Sequence, residues 1–517
     1  MIICGIQMGH EPSVCVTENG KIIYYNEERK LAKKKNQKYI PYKCIDEIQL
    51  IKIDKFFCTG YNFNDQLIGC LESYLIHKNL IKNYGELRCL YQPHHLSHLF
   101  KSYFDSGFKE ARVFVIDGCG SDWVLENNET GYEHCSVYHV DENGFKCIYK
   151  KIFTQSKSLK INKYLNAQTF CDEDTVFDIS NNLGIGNLYA DMSDKFNFIA
   201  EEGKFMGYQS YGRPKKEYYE LLDKQDFKNY PVNVDAAATV QKFFEDKYLE
   251  IVKTYQYKNM IFTGGATLNV VNNYKIKKHF NESNIYFEPV CGDEGNSIGI
   301  AYGFAYFLKQ KIIQNKSIYL GSEILLDKNK LNNKKIFKDV DIDGIVKLLT
   351  KGNVVALVQG RAEAGPRALG NRSLLLDPTL KDCKIIMNDI KKREKFRPFA
   401  CSILEENANE YFDLNHTSPT MMLAPQATEK SKKLIPNLIH VDNTCRVQTV
   451  NYEDNLVLYK LLKKFKLPIL MNTSFNLAGF AMVEKFEDVL FTLRNSNLKY
   501  VYFADYNKLL IKESNDK

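Results

Sequence analysis

The sequence predicts an α/β protein built from two units, and three observations predict it. Short apolar runs end in Gly- or Asp-containing loops and then give way to stretches with helical spacing, which is the pattern of strands feeding helices. The chain has 517 residues, enough for two to four domains that each bury a full core. A polar, Lys/Asn-rich tract without periodicity at residues 326–338 reads as a linker, so the expected units are 1–330 and 331–517.

From the N-terminus, apolar runs at Ile2–Ile3–Cys4, Val14–Cys15–Val16 and Ile22–Ile23, with turns at Gly9–His10 and Asn19–Gly20, predict a strand, a loop, a strand and a hairpin return. Residues 27–38, EERKLAKKKNQK, read as a solvated basic face. After Pro93, Leu96, Leu99, Phe100 and Phe104 recur at helical spacing. Residues 112–116 read as a strand ending in Asp117-Gly118-Cys119-Gly120, followed by a hairpin to about residue 151. A strand, loop and helix are expected at 260–271, and a second α/β unit follows the linker. No internal repeat is visible.

Hydrophobic content of 44% and charged content of 26% are those of a globular protein. No apolar run is long enough to span a bilayer, and the first residues read as a strand and not a signal peptide. The fourteen Cys form no C-x-x-C pair and lie in apolar surroundings, which predicts reduced, buried thiols in a cytoplasmic protein and excludes a zinc ribbon or a disulfide framework. The net charge of +7 suggests affinity for anions without identifying one.

Four constellations carry chemistry. In residues 360–399, five of the chain's Arg residues (Arg361, Arg367, Arg372, Arg393 and Arg397) interleave with Gly360, Gly365 and Gly370 in a chain whose usual base is Lys. Guanidinium forks grip phosphate or carboxylate bidentately, so the stretch reads as a polyanion cradle. His94 and His98 stand one helical turn apart, and with the loop carboxylates Asp117 and Asp293 they form a candidate site for Fe(II), Zn or Mn. His10 is a candidate general base, because an imidazole titrates near neutral pH. Gly264, Gly265 and Asn269 follow an apolar strand and open a helix, a design that holds phosphate, and Gly292-Asp293-Glu294-Gly295 with Gly299 has the same design. Asn472, Ser474 and Asn476 supply amide and hydroxyl groups at another strand end, suited to ribose or phosphate.

GHEPSV, HHLSH, IDGCG, EEGKFMGYQSYG, TGGATLN, CGDEGNSIGIAYG, QGRAEAGPRALGNRS, KKREKFRPFA, RVQTV and NTSFN occur in one order over nearly the whole chain. By these motifs the sequence resembles the O-carbamoyltransferases of nodulation-factor and antibiotic tailoring. The resemblance implies an ASKHA (actin/hexokinase-type) domain followed by a YrdC-like α/β domain. It implies that the second makes carbamoyl adenylate from carbamoyl phosphate and ATP with Mg, and that the first transfers the carbamoyl group to a hydroxyl beside a metal, usually iron. His94, His98, Asp117 and Asp293 would hold the metal, with His10 near the acceptor. Lys35, Arg367, Lys391, Arg397, Arg446, Ser474 and Asn476 would hold the anionic substrates, with Arg367 and Lys391 acting in catalysis. Two departures bear on loop shape: Gln209-Ser210 replaces the family's Ala-Pro, and the segment after Asn476 lacks its usual Pro.

The acceptor is left open between a sugar or small-molecule hydroxyl and the hydroxymethyl group of a 5-hydroxymethylpyrimidine such as 5-hydroxymethylcytosine in DNA or RNA. The basic balance and the Lys/Tyr interleaving at 150–164 and 211–219 favour nucleic acid. Threonylcarbamoyl transfer to tRNA is the remaining alternative, and a homodimer is a further expectation.

Overall fold

The computed structural model describes all residues except 36–37, 60–64, 90–92, 157–159, 163–169, 328–330, 332–336 and 513–517. Most of the expected linker lies outside the described residues. The described chain divides into two compact units, Met1–Ala32 with Asn36–Lys316, and Lys33–Lys35 with Ser317–Lys517. The second unit therefore begins before the expected boundary at 330/331. The reason is local: Ala364 N–H donates to Ile318 O at 2.7 Å, Gly321 N–H donates to Ala362 O at 2.9 Å, and the Arg361 guanidinium grips the Leu320 and Gly321 carbonyls.

The first unit holds two mixed sheets with the same plan. In one, Ile2–Gln7 pairs antiparallel with Ser13–Glu18, which pairs antiparallel with Lys21–Glu27, while Lys55–Thr59 and Leu87–Cys89 extend the other side in parallel. In the other, Ala111–Ile116, Thr130–Asp141 and Gly144–Phe153 form the antiparallel meander, and Asn259–Thr263 and Asn284–Phe287 add in parallel beside Ala111–Ile116. This repeated strand order is the duplicated topology of an actin/hexokinase-type fold. The duplication is one of topology, with no matching residue pattern, which is why no repeat is visible in the sequence.

Helix His94–Ser106 follows the first sheet and packs against helix Asn296–Phe307. Their contact is close because Gly299 faces the Ser97 carbonyl, where an added Cβ would lie 1.9 Å from the oxygen. The spacing of Leu96, Leu99 and Phe100 puts all three in the core.

The second unit is an eight-stranded sheet in the order Phe337–Asp339, Lys508–Ile511, Tyr500–Phe503, Val355–Val358, Arg372–Leu376, Ile469–Ser474, Ala400–Leu404, Arg446–Val450. Helices Ile342–Thr350 and Leu456–Lys464 cover a core of Leu349, Val355, Leu357, Leu375, Leu461 and Leu470. The register sets Asn472 opposite Ala400 and Ala400 opposite Arg446, so these three side chains share a row across the sheet.

Candidate active site

Two chemically opposite sites emerge, one in each unit. In the first, single ligand atoms of His94, His98, Asp117 and Asp293 lie within 4.8 Å of one another. His94 Nε2 is 2.9 Å from Asp117 Oδ2 and 3.3 Å from Asp293 Oδ1, and His98 Nε2 is 3.3 and 3.6 Å from the same two oxygens. The ring nitrogens and carboxylate oxygens thus aim at one point, which fits a divalent ion better than any apolar filling. Burial opposes charge on both imidazoles, but Asp293 and Asp117 outweigh it and hold His94 and His98 above the usual histidine range. Asp117 and Asp293 are held below the usual carboxylate range, the histidines outweighing the cost of burial.

The surroundings fix each ligand. Asp117 Oδ1 accepts from Gly118 N–H at 2.8 Å and Gly265 N–H at 2.9 Å, leaving Oδ2 to face the histidines. At the start of the His94 helix, Ser121 Oγ accepts from His94 N–H at 3.0 Å, and buried Glu133 accepts from His95 N–H at 3.2 Å while pairing with Lys150 at 2.5 Å. His95 itself points away, bonded to Ser136 Oγ at 2.7 Å, and burial drops it to about 3, so it stays neutral.

Several expectations change here. Gly264, Gly265 and Asn269 do not form a phosphate cradle. Gly264, at φ 88, passes against the Ile116 carbonyl, the Gly265 amide is taken by Asp117, and Asn269 caps helix Val270–His279 while bonding Gln241 at 3.0 Å. The Gly292–Gly295 loop presents Asp293 to the quartet, and Gly299 serves helix packing. His10 lies beside the quartet, its Nδ1 3.7 Å from Asp293 Oδ2, with 49% of its side chain exposed. The neighbouring Asp293 carboxylate raises it to about 9.

In the stretch read as a solvated basic face, Lys33, Lys34 and Lys38 are exposed, but its first part, Glu27 to Leu31, is interior. Arg29 pairs with Glu11 at 2.5 Å, Glu27 at 2.7 Å and Glu294 at 3.4 Å, and Lys30 pairs with Glu27 at 2.8 Å. One guanidinium thereby ties the residue after His10 to the residue after Asp293. No spacing in the sequence signals this pairing, because Glu11, Glu27 and Glu294 lie far apart in the chain and meet only in the fold.

In the Lys/Tyr stretch offered for nucleic acid, Lys150 turns inward while Lys160 is exposed. Lys150 is 1% exposed, paired with Glu133 and set over the Trp123 ring, and Lys151 pairs with Asp178 at 2.8 Å. Lys157, Lys163 and Tyr164 lie outside the described residues. At 211–219, Tyr219 packs on Phe243 with ring centroids 5.0 Å apart, and Tyr211 is exposed.

In the second unit, Lys391 closes helix Cys383–Lys391, and its ammonium donates to Asn476 Oδ1 at 2.7 Å, to Ser474 Oγ at 3.1 Å and to the Ser474 carbonyl. All three partners are neutral oxygens. Burial, with Arg393, Lys35 and Arg397 nearby, pushes Lys391 well below the usual lysine range. Burial and Arg397 push Arg393 down to about 9. Arg446 is depressed by burial and by Arg367, Arg393 and Arg397, and its buried Nε has no hydrogen-bond partner. Arg397 also lies 3.7 Å from the Glu394 carboxylate. Buried cations that depress one another in this way make a candidate site for anions.

Two of the five clustered Arg residues serve the fold. Arg372 is fully buried and donates to the carbonyls of Gln359, Asn371, Ser322 and Gly360 at 2.7 to 3.0 Å. Arg361, expected among the ligand-binding residues, spends its fork on two carbonyls. Asn472 is also interior, donating to Ser402 Oγ at 2.8 Å and Gln448 Oε1 at 3.2 Å. Buried Glu363 accepts from Leu369 N–H at 2.7 Å and Asn371 N–H at 2.8 Å, and so folds the loop that carries Arg367.

The family description Carbamoyltransferase N-terminus matches residues 58–234 and 216–302, and Carbamoyltransferase C-terminus matches 346–509. The chain belongs to the carbamoyltransferase family. This carbamoyltransferase is 25% identical to nodulation protein NolNO of Sinorhizobium fredii over 96% of this chain and 78% of that one. It is 28% identical to the 3'-hydroxymethylcephem-O-carbamoyltransferase of Amycolatopsis lactamdurans over 57% of this chain and 58% of that one. An uncharacterized Methanocaldococcus jannaschii protein, MJ1051, is 29% identical over 99% and 98%. Both halves of the family are present, so the enzyme transfers carbamoyl groups. Among the described residues no helix is long and apolar enough to cross a membrane.

Proposed function

We propose that this carbamoyltransferase makes carbamoyl adenylate in its second, YrdC-like unit and transfers the carbamoyl group to a hydroxyl in its first. The observation that carries the reading is the buried cation cluster of Arg367, Lys391, Arg393, Arg397 and Arg446, which calls for more than one anionic group. Carbamoyl phosphate and the ATP phosphates, the latter with Mg, meet that demand. Lys35, which belongs to the second unit, adds a further charge, and Ser474 and Asn476 orient Lys391.

The chemistry balances as follows. Water releases carbamate and inorganic phosphate from carbamoyl phosphate. A carbamate oxygen bonds to the α-phosphorus of ATP as the bond to pyrophosphate breaks. The acceptor hydroxyl oxygen then bonds to the carbamoyl carbon, the bond to AMP breaks, and the hydroxyl proton leaves. The clustered cations offset the repulsion between two anions and hold them in line. A divalent ion, for which iron is our assignment, would be held by His94, His98, Asp117 and Asp293 and would supply Lewis acidity toward an oxygen of the reacting group. His10, half exposed beside Asp293, is placed to meet the arriving acceptor.

The acceptor in this reading is a hydroxyl of a sugar or other small molecule. The acceptors in the names of the cephem relatives support it, and the burial of Lys150 removes part of the basis for a nucleic acid. The test supplies ATP and carbamoyl phosphate with hydroxylated sugars, small natural products or 5-hydroxymethylcytosine DNA, and follows pyrophosphate and the product mass. Pyrophosphate release that depends on carbamoyl phosphate, with a carbamoylated small molecule, is the expected result. Release driven instead by threonine with bicarbonate, or carbamoylation of the DNA alone, would overturn it.

A further inference from the structure

We propose that the buried Lys101–Glu288 ion pair is a positioning device, setting the distance between the helix that carries His94 and His98 and the loop that carries Asp293. The proposal rests on reading those residues with Asp117 as a metal site. Lys101 lies nearly one turn beyond His98 on helix His94–Ser106, and Glu288 directly follows strand Asn284–Phe287, at the root of the Asp293 loop. Both side chains are buried, at 4% and 0% exposure.

The Lys101 ammonium donates to Glu288 Oε1 and to Asp105 Oδ2, the latter at 3.1 Å. The same Glu288 oxygen accepts from Val290 N–H at 3.0 Å, three residues before Asp293, and Tyr286 O–H donates to Glu288 Oε2 at 3.3 Å. At the far end of the loop, Gly295 lies over the Lys101 stem, where an added Cβ would sit 3.0 Å from Lys101 Cδ. The histidine helix is therefore tied to the loop on both sides of Asp293. An apolar contact of the same size would be about as stable, since burying an ion pair costs desolvation. What the pair adds is direction, because a hydrogen-bonded charge pair fixes a separation that apolar side chains would let slide.

The test uses full-length metal-free protein and cobalt(II) as the probe, read by its ligand-field absorption and by competition with a chromogenic chelator. Glu288→Gln is expected to weaken cobalt binding about 10- to 100-fold and to shift the absorption bands, the range for groups that orient metal ligands. Lys101→Met/Glu288→Gln leaves the net charge of the Lys101, Asp105 and Glu288 cluster unchanged, and is expected to unfold near the wild-type temperature yet still bind weakly. Tyr302→Phe, which removes only a 3.2 Å bond to Asp105, should bind as wild type. A double variant with wild-type affinity and spectrum would overturn the proposal and leave an ordinary structural pair. If His98→Ala binds cobalt as tightly as wild type, the metal reading itself falls, and this proposal with it.

Discussion

The two sites of this carbamoyltransferase handle charge in opposite ways. The quartet of His94, His98, Asp117 and Asp293 balances two imidazoles against two carboxylates. The cluster around Lys391 and Arg446 is arranged otherwise: burial and neighbouring cations depress both groups, and the Lys391 ammonium is held by neutral oxygens. In the function proposed above, the first site takes a cation and the second takes anionic ligands.

The sharpest way to break this contrast is Arg446→Met. Removing a buried guanidinium with no acceptor at Nε should lower carbamoyl-phosphate-dependent pyrophosphate release on the order of 10²-fold or more. The same change should raise the unfolding midpoint of the ligand-free protein by roughly 2–4 °C, the shift expected of about 1 kcal/mol in a unit of this size, and shrink the stabilisation by added phosphate. Scanning calorimetry with and without phosphate checks it. A lowered midpoint with intact pyrophosphate release would mean that the cluster is structural.

A smaller effect sharpens the other half of the comparison. His134 accepts a hydrogen bond from Gly184 N–H at 2.8 Å, and burial lowers it to about 4 from an ordinary 6.5. Its folded form stays neutral where the unfolded chain takes up a proton, so stability falls with decreasing pH from about 6.5 toward 4, by on the order of 1 kcal/mol per pH unit. His134→Asn keeps an acceptor for Gly184 but cannot titrate. The variant should therefore gain on wild type as pH drops through this window in denaturant titrations, and parallel curves would remove His134 from the acid response.

The strand and helix plan was legible because the first unit's strands are short apolar runs bounded by Gly and Asp, and the convergence of His94 and His98 because i,i+4 residues share one face of a helix. The duplicated topology was hidden, since two sheets can share a strand order without sharing residues. Interior charge was hidden too. Glu27, Arg29, Lys30 and Lys150 look like surface residues until tertiary pairing buries them, and no spacing rule distinguishes an Arg that grips a carbonyl, as Arg361 and Arg372 do, from one set among other cations, as Arg446 is. The glycine loop at Gly264–Gly265 was legible as a loop, but which group its amide meets depends on Asp117, 148 residues away in the chain.

The most direct test of the account is whether the two reactions separate. With ATP, carbamoyl phosphate and an accepted hydroxyl compound, His98→Ala is compared with wild type for pyrophosphate release and for carbamoylated product. The account predicts that the variant still releases pyrophosphate in a carbamoyl-phosphate-dependent way while product formation is lost. Product formed at the wild-type rate, or both readouts lost together in a folded variant, would contradict it.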